Sequence, residues 1–511
     1  MQRLFTPGKK NIILFILVFT VSVCFSQTKK GFVISDEKTA LQEATILNKR
    51  MGNHTHTNDI GYFELNAANG DTLIVTHIAY SPTRVIAGKE TLNITLKPAP
   101  VQLNDVSIRS SVRHLNVISN IDMKTNPVSS SQELLRKVPG LFIGQHAGGG
   151  KAEQIFLRGF DIDHGTDINI SVDGMPVNMV SHTHGQGYAD LHFLIPETVD
   201  KIDFDKGPYF ANKGNLATAG YVGFKTKDKF DNNAIIIEGG KFSTFRTLGQ
   251  FNVIDNEKEN AWLATEYLMT QGYFLSPQNF NRVNLIGKYT AFLPNTGKLS
   301  FLLSHFKSKW NASGQIPQRA VDAGIIDWYG SIDNTEGGNT QRSNVILQYL
   351  KQINTTTFIK NTAFFSYYNL ELYSNFTFFL NDPVNGDQIR QKEARNVTGF
   401  ESEFTQELNG EHTKLKFQAA IGLRYDNTNN TELSHTTNRK TTIEQIKFGD
   451  IDETNLYSYT GVEIKKGKLL INPAVRLDYF KFDYTDKLTP TFQTQSDNKA
   501  IVSPKLNFLY N

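Results

Sequence analysis

At 511 residues the chain is too long for one ordinary domain, so several are expected. Lys and Arg number 53 against 50 Asp and Glu, a net charge of +3 that gives no reason to expect nucleic acid as a partner. A mean hydropathy of -0.35 excludes a bundle of membrane helices, but not a transmembrane β-barrel, in which every second residue faces a polar lumen.

The chain opens on Lys9-Lys10, the apolar run 12–25 and Ser26-Gln27, which read as a secretory signal peptide over residues 1–26. The run is short for a bilayer span and a polar chain follows it. The one cysteine, Cys24, rules out a disulfide framework; against a lipoprotein signal, Val23 stands where a small residue is expected.

Residues 28–97 alternate β-type runs at 31–34, 43–47, 62–65, 72–78 and 92–96 with turn signals at 58–61 and 69–71. This pattern predicts an all-β sandwich. The succession NDIGYFEL, GDTLIVTHIAYSP and LNITLKP resembles the carboxypeptidase-regulatory-like domains that precede many outer-membrane receptors; the opening VISDEKTALQEA matches loosely. The resemblance implies a periplasmic interaction module or a folded spacer. His54 and His56 read as solvated residues of a loop.

Between 111 and 228 the pattern is a small α+β domain. Leu134, Leu135 and Val138 share one face of a short amphipathic helix that Pro139-Gly140 stops. The β-branched runs 154–157 and 168–172 close on the turns Arg158-Gly159 and Asp173-Gly174, and an apolar strand follows at 220–225. Gly159, Gly174, Gly207 and Gly220 are explained by turn geometry. The motifs LLRKVPG, FLRGF, ISVDGMPV and KGPYFANKGNLATAGYVGFKTK, in this order, resemble the plug domain of TonB-dependent outer-membrane receptors.

That resemblance implies a plug seated in a large β-barrel and remodelled to admit a bound nutrient. It also assigns Arg158 of FLRGF as a plug lock held by barrel carboxylates, with Glu238 and Glu266 as candidates. The other reading of Arg158 is a turn cap. In the linker 98–110 the resemblance implies a box for a TonB-type energy-coupling protein, carried by Asp105, Val106, Ser107 and Ile108. An extended segment of this kind adds to the edge of a partner's sheet. The alternative, a last strand of the sandwich, is opposed by Pro98 and Pro100, which interrupt ladder bonding.

Histidines crowd the segments DIDHGTD and MPVNMVSHTHGQGYADLHFLIPE: His164, His182, His184 and His192, with Met175 and Met179 nearby. On a strand, His182 and His184 project to one face and could share a metal. Thioether partners favour copper, aspartate partners zinc or iron. The other reading makes them hydrogen-bonding groups between plug and barrel. No resident cofactor is expected; a metal ion or metal chelate is the candidate ligand.

From 229 to 511 segments of about ten residues alternate apolar and polar, the barrel signature. Short turns at 255–259, 294–298, 353–356, 408–413 and 465–468 alternate with longer loops at 311–340, 381–391, 427–452 and 486–498. The 36 Phe and 19 Tyr suit a lipid-facing surface with aromatic girdles. About a dozen strands are readable where plugged transporters have about 22, and 503–511 reads as an internal strand. A fragment is expected.

The fold class is therefore mainly β: an N-terminal β-sandwich, a small α+β plug domain, and an antiparallel transmembrane β-barrel that is incomplete in this chain. No H-E-x-x-H, G-x-S-x-G or P-loop is present, so no enzyme is expected. The expected protein lies in the outer membrane against its lipid, takes a TonB-type partner, and imports a small-molecule or metal-chelate ligand such as a siderophore. Alternatives are a glycan receptor, a barrel-anchored adhesion protein without transport, and a signal-transducing receptor.

Overall fold

The computed structural model describes residues 27–36, 40–77, 80–88, 90–97, 117–118, 123, 125, 127–128, 130–146, 149–294, 296–410 and 413–510. The signal peptide and the coupling box at Asp105, Val106, Ser107 and Ile108 lie outside the described residues. The chain divides into two compact units, Met1–Asn104 and Asp105–Asn511.

In the first unit seven strands form two sheets: β1 (Gln27–Ser35), β2 (Thr45–Asn48), β3 (His54–His56), β4 (Tyr62–Ala67), β5 (Thr72–His77), β6 (Tyr80–Ile86) and β7 (Leu92–Leu96). Their orders are β4-β1-β7 and β3-β2-β5-β6. Alternate residues of β4 and β5 (Phe63, Leu65, Leu73 and Val75) enter one core with Val33, Ile46, Ile94 and Leu96. His54 and His56 are not in a loop: they sit on β3, with their rings edge-on at 5.6 Å. A polar edge strand lacks the apolar period that betrays a strand in sequence. Glu43, at φ 63°, keeps β2 from starting before Thr45.

The second unit begins with the α+β domain. Its strands are β8 (Val117–Ile118), β9 (Leu141–Gly144), β10 (Gln154–Leu157), β11 (Phe160–Asp161), β12 (Ile168–Val172), β13 (Met175–Pro176), β14 (Val199–Lys206) and β15 (Gly220–Thr226). One sheet has the order β11-β10-β9, the other β13-β12-β15-β14-β8, with β12 and β15 parallel. The expected amphipathic helix is a single 3-10 segment, Gln132–Lys137, which buries Leu134 and Leu135; six residues before Pro139-Gly140 leave little room for an α-helix. Both residues of Arg158-Gly159 and of Asp173-Gly174 have positive φ, as a two-residue hairpin turn of type I′ requires.

Twelve strands follow in one antiparallel sheet whose spatial order is the sequence order. They are β16 (Ala234–Gly240), β17 (Thr244–Asp255), β18 (Glu259–Thr270), β19 (Phe280–Leu293), β20 (Gly297–Asn311) and β21 (Gly337–Asn354). The rest are β22 (Thr357–Ser374), β23 (Ile389–Asn409), β24 (Thr413–Thr437), β25 (Thr441–Lys466), β26 (Leu469–Asp486) and β27 (Gln493–Tyr510). One face shares the core of the α+β domain through Leu248, Trp262, Ile286, Phe306, Ile346 and Val397. The opposite face exposes Ile235, Leu263, Leu285, Leu303, Phe365 and Ile421, the apolar face a lipid bilayer accepts.

Tight turns close one end of this sheet, between Asp255 and Glu259, Leu293 and Gly297, and Asn354 and Thr357. Longer connections leave the other end at 271–279, 312–336 and 375–388. The expected loop at 427–452 is instead a continuation of β24 and β25, which pair until a turn after Thr437. The inward positions of the β24 extension are polar (Thr428, Glu432, Ser434 and Thr436), so no apolar alternation marks it as strand and it reads as loop.

Candidate functional site

The inner face of the sheet grips the α+β domain largely through its backbone. Arg395 on β23, wholly buried, donates to Glu393 at 3.1 Å, to Asp426 at 3.0 Å and to the carbonyl of Ser181. Arg424 reaches the carbonyl of Asn178 at 2.8 Å, Arg342 that of Val177 at 3.2 Å, and Arg476 that of Ala211 at 3.1 Å. Each guanidinium leaves water without losing hydrogen bonds, since neighbouring carboxylates or carbonyls take its donors. Lys288 donates to Thr226 O at 3.2 Å, and Lys298 pairs with Asp228 at 2.7 Å.

The expected lock is therefore reversed. Arg158 is exposed in the β10–β11 turn, and among the described residues no carboxylate of the sheet pairs with it. Glu238 and Glu266 hold Arg246 of the sheet itself, and Arg246 takes Glu197 of the α+β domain. Arg246, Lys288 and Lys298 thus supply cations from the sheet to the small domain, while Thr183 N–H and Ser181 Oγ donate the other way, to Glu393 and Glu453 of the sheet.

Above these contacts lies the histidine segment. It is not a strand: residues 178–191 run as turns and bends, folded by Asn178, whose Nδ2 donates to the carbonyls of Gly165, Ile168 and Gly187. His182 Nδ1 accepts the backbone N–H of His184 at 3.2 Å, so its Nε2 carries the proton and faces Tyr368 Oη at 3.3 Å. Its ring stacks on Tyr188 at 4.1 Å. His192 donates from Nδ1 to Asp190 at 2.7 Å and stacks on Phe306. Both are structural hydrogen-bonding groups.

His164 and His184 behave differently. His164 Nδ1 faces the carbonyl of Glu153 at 3.2 Å and must donate to it. His184 Nδ1 faces Gln391 Oε1 at 3.0 Å. Gln391 cannot be flipped, because its Nε2 donates to Thr183 O at 2.8 Å. Both rings are thus Nδ1–H tautomers, and their bare Nε2 atoms meet at 3.2 Å. Asp163 Oδ1 lies 3.4 Å from the same His164 nitrogen. The ring of His146 is 5.1 Å from that of His164, and its buried Nε2 has no hydrogen-bond partner among the described residues.

Burial first, and the Lys151 ammonium second, push His146 and His164 down to about 4 and His184 to about 2. Burial also lowers Lys151 to about 8 and raises Glu153 to about 8.

Sequence reasoning expected His182 and His184 to share a strand face; a turn instead brings His184 to His164. It missed His146, whose signal was the glycine-rich GQHAGGGK after an apolar run. Gln391, more than two hundred residues away, carried no local signal.

Three family models match the chain in succession. These are a carboxypeptidase-regulatory-like domain over 29–108, a TonB-dependent receptor plug domain over 107–221, and a TonB-dependent receptor-like β-barrel over 274–511. Among solved structures the chain is similar to the unliganded ferric citrate transporter FecA, with a TM-score of 0.65 and 16% identity over 77% of this chain. It is similar to the siderophore receptor PiuA from Acinetobacter baumannii, with a TM-score of 0.60 and 14% identity over 77% of this chain and 62% of that one. The copper transporter OprC gives a TM-score of 0.57 and 14% identity over 75% of this chain and 58% of that one. The chain spans 60% of the length of the ferric citrate transporter.

Proposed function

Because the chain belongs to the TonB-dependent receptors, a family of outer-membrane β-barrels, we propose that it imports a scarce ligand past its plug. The ligand enters from the end of the barrel that carries the long connections, and a TonB-type protein supplies the energy from the other side. The class we favour is a metal chelate or siderophore. The observation that carries this is the pair of unprotonated imidazole nitrogens on the plug, close to where β23 leaves the connection 375–388. Structures named as a ferric citrate transporter, a siderophore receptor and a copper transporter share the fold, which supports the class without choosing its member.

Coupling is assigned to Asp105, Val106, Ser107 and Ile108, and the N-terminal sandwich serves as an interaction module or spacer. Replacing Val106 by Pro removes a backbone donor from the added strand. Cells producing the receptor should then keep surface binding of the chelate and lose its uptake. Uptake that survives this change moves the protein to the barrel-anchored adhesion class.

A further inference from the structure

We propose that His164 and His184 seat a late first-row divalent metal ion directly between their Nε2 atoms, Cu²⁺ first and Zn²⁺ next. Two lone pairs facing each other at 3.2 Å repel unless something positive lies between them. Three occupants are conceivable. A water donating to both rings would hold them about 4 Å or more apart, so it does not fit. A proton would make one ring a buried cation, with His164 only 2% exposed. A metal ion fits: two nitrogens at about 2.0–2.1 Å from one ion stand about 2.9–3.4 Å apart for angles between square and tetrahedral.

The outer hydrogen bonds are those of a metal site. Each ring donates its other N–H to a fixed oxygen, a backbone carbonyl for His164 and the Gln391 amide for His184. Among the described residues no three His, Cys, Asp or Glu side chains already converge as a complete ligand set. The receptor therefore offers two fixed donors, with the half-exposed Asp163 beside them, and the remaining positions come from the incoming species. Neutral imidazoles select copper over zinc by intrinsic affinity.

This sets the substrate class. Within the chelate class proposed above, an aqua ion or a complex that leaves two adjacent coordination positions open fits this pair directly, and a complex with all six positions filled must give up two of them to bind here. Binding stands on the geometry alone, whereas treating the ion as cargo rests on the import reading above.

The test is a competition titration of the whole receptor in detergent with Cu²⁺ and Zn²⁺ alone, with electron paramagnetic resonance of the Cu²⁺ form. Wild type should bind one tight equivalent and show two imidazole nitrogens. His184→Ala should weaken binding at least about tenfold and leave one nitrogen, while His305→Ala on the barrel changes neither. Gln391→Glu, which makes the outer acceptor anionic, should tighten binding. Equal affinity in wild type and in the His164→Ala, His184→Ala double variant overturns the site. So does a wild-type spectrum without imidazole nitrogen, a readout that needs no variant to fold. Metal binding with uptake indifferent to Val106→Pro would leave the site standing and sink only the import reading.

Discussion

Arg246 of the barrel donates from both terminal nitrogens to the two oxygens of Glu197 in the plug, at 2.8 Å each. Its Nε donates to Glu266 and its Nη1 also to Glu238, each at 2.9 Å, and Glu266 in turn accepts from Arg282 at 2.9 Å. This is a planar fork meeting a carboxylate across the boundary between barrel and plug. Glu197→Gln should weaken that boundary by about 1–3 kcal/mol. Backbone hydrogen exchange around 196–206 should quicken while the barrel's strands stay protected. Unchanged exchange there would show the pair to be idle.

Arg395 presents a harsher case. It is the shared counterion of Glu393, Asp426 and Glu453, with Glu393 and Asp426 themselves almost fully buried. Arg395→Met removes the cation and strands the acids, at a cost of about 3–5 kcal/mol. A fall in the thermal midpoint should be visible in detergent. Replacing Arg395 together with Glu393 and Asp426 by apolar residues should recover much of the loss.

Gly187 lets the histidine segment turn back on itself. It sits at φ 71°, and a Cβ there would lie 2.7 Å from Thr166 backbone atoms. Gly187→Ala should cost about 1–3 kcal/mol through strain and move His184 off His164. The expected signature is a loss of metal affinity comparable to His184→Ala in a plug that still folds. Metal binding at wild-type strength in this variant would contradict the role given to the turn.

The N-terminal sandwich carries a pH-sensitive clasp. Asp71 accepts from Arg50 at 2.5 and 3.0 Å, from Asn48 at 2.8 Å and from the Ala68 N–H at 2.9 Å. Arg50 first, then Asn48 and the backbone, hold its carboxyl well below the usual range. A depressed folded pKa stabilises above the unfolded value of about 3.9 and is lost as pH falls below it. The clasp should contribute about 1–2 kcal/mol at neutral pH, since the half-exposed Arg50 is screened. Asp71→Asn should lower stability at pH 7 and flatten its decline between pH 5 and pH 2, measured by denaturant unfolding of the sandwich signal.

What could be read from the sequence follows from where water is. Strands such as β20 show the two-residue period because Leu303 and Phe301 face outward while Leu302 and Phe306 meet the plug. Where β24 runs on past Asn427 its buried alternate positions are Thr428, Glu432, Ser434 and Thr436, so the burial period has no apolar counterpart in the sequence. The plug was legible through its turns, whose Arg158-Gly159 and Asp173-Gly174 dipeptides the backbone demands. The role of Arg158 was not, because a partner across the barrel leaves no local trace. The histidines announced themselves by crowding, but their tautomers are set by Glu153 and Gln391, one by its carbonyl and the other from a distant strand.

The arginines of the barrel wall close on carbonyl oxygens at Pro176, Val177, Ser181 and Ala211. A carbonyl is the one acceptor that every residue owns. These backbone hydrogen bonds would survive a change of side chain, whereas Val177 and Ala211 are also buried in the core and Ser181 Oγ also donates to Glu453 at 2.9 Å. The polar part of the seat is thus set by the path of the segment's backbone, and the specific part by the few side chains, such as Asn178 and Ser181, that bond in their own right.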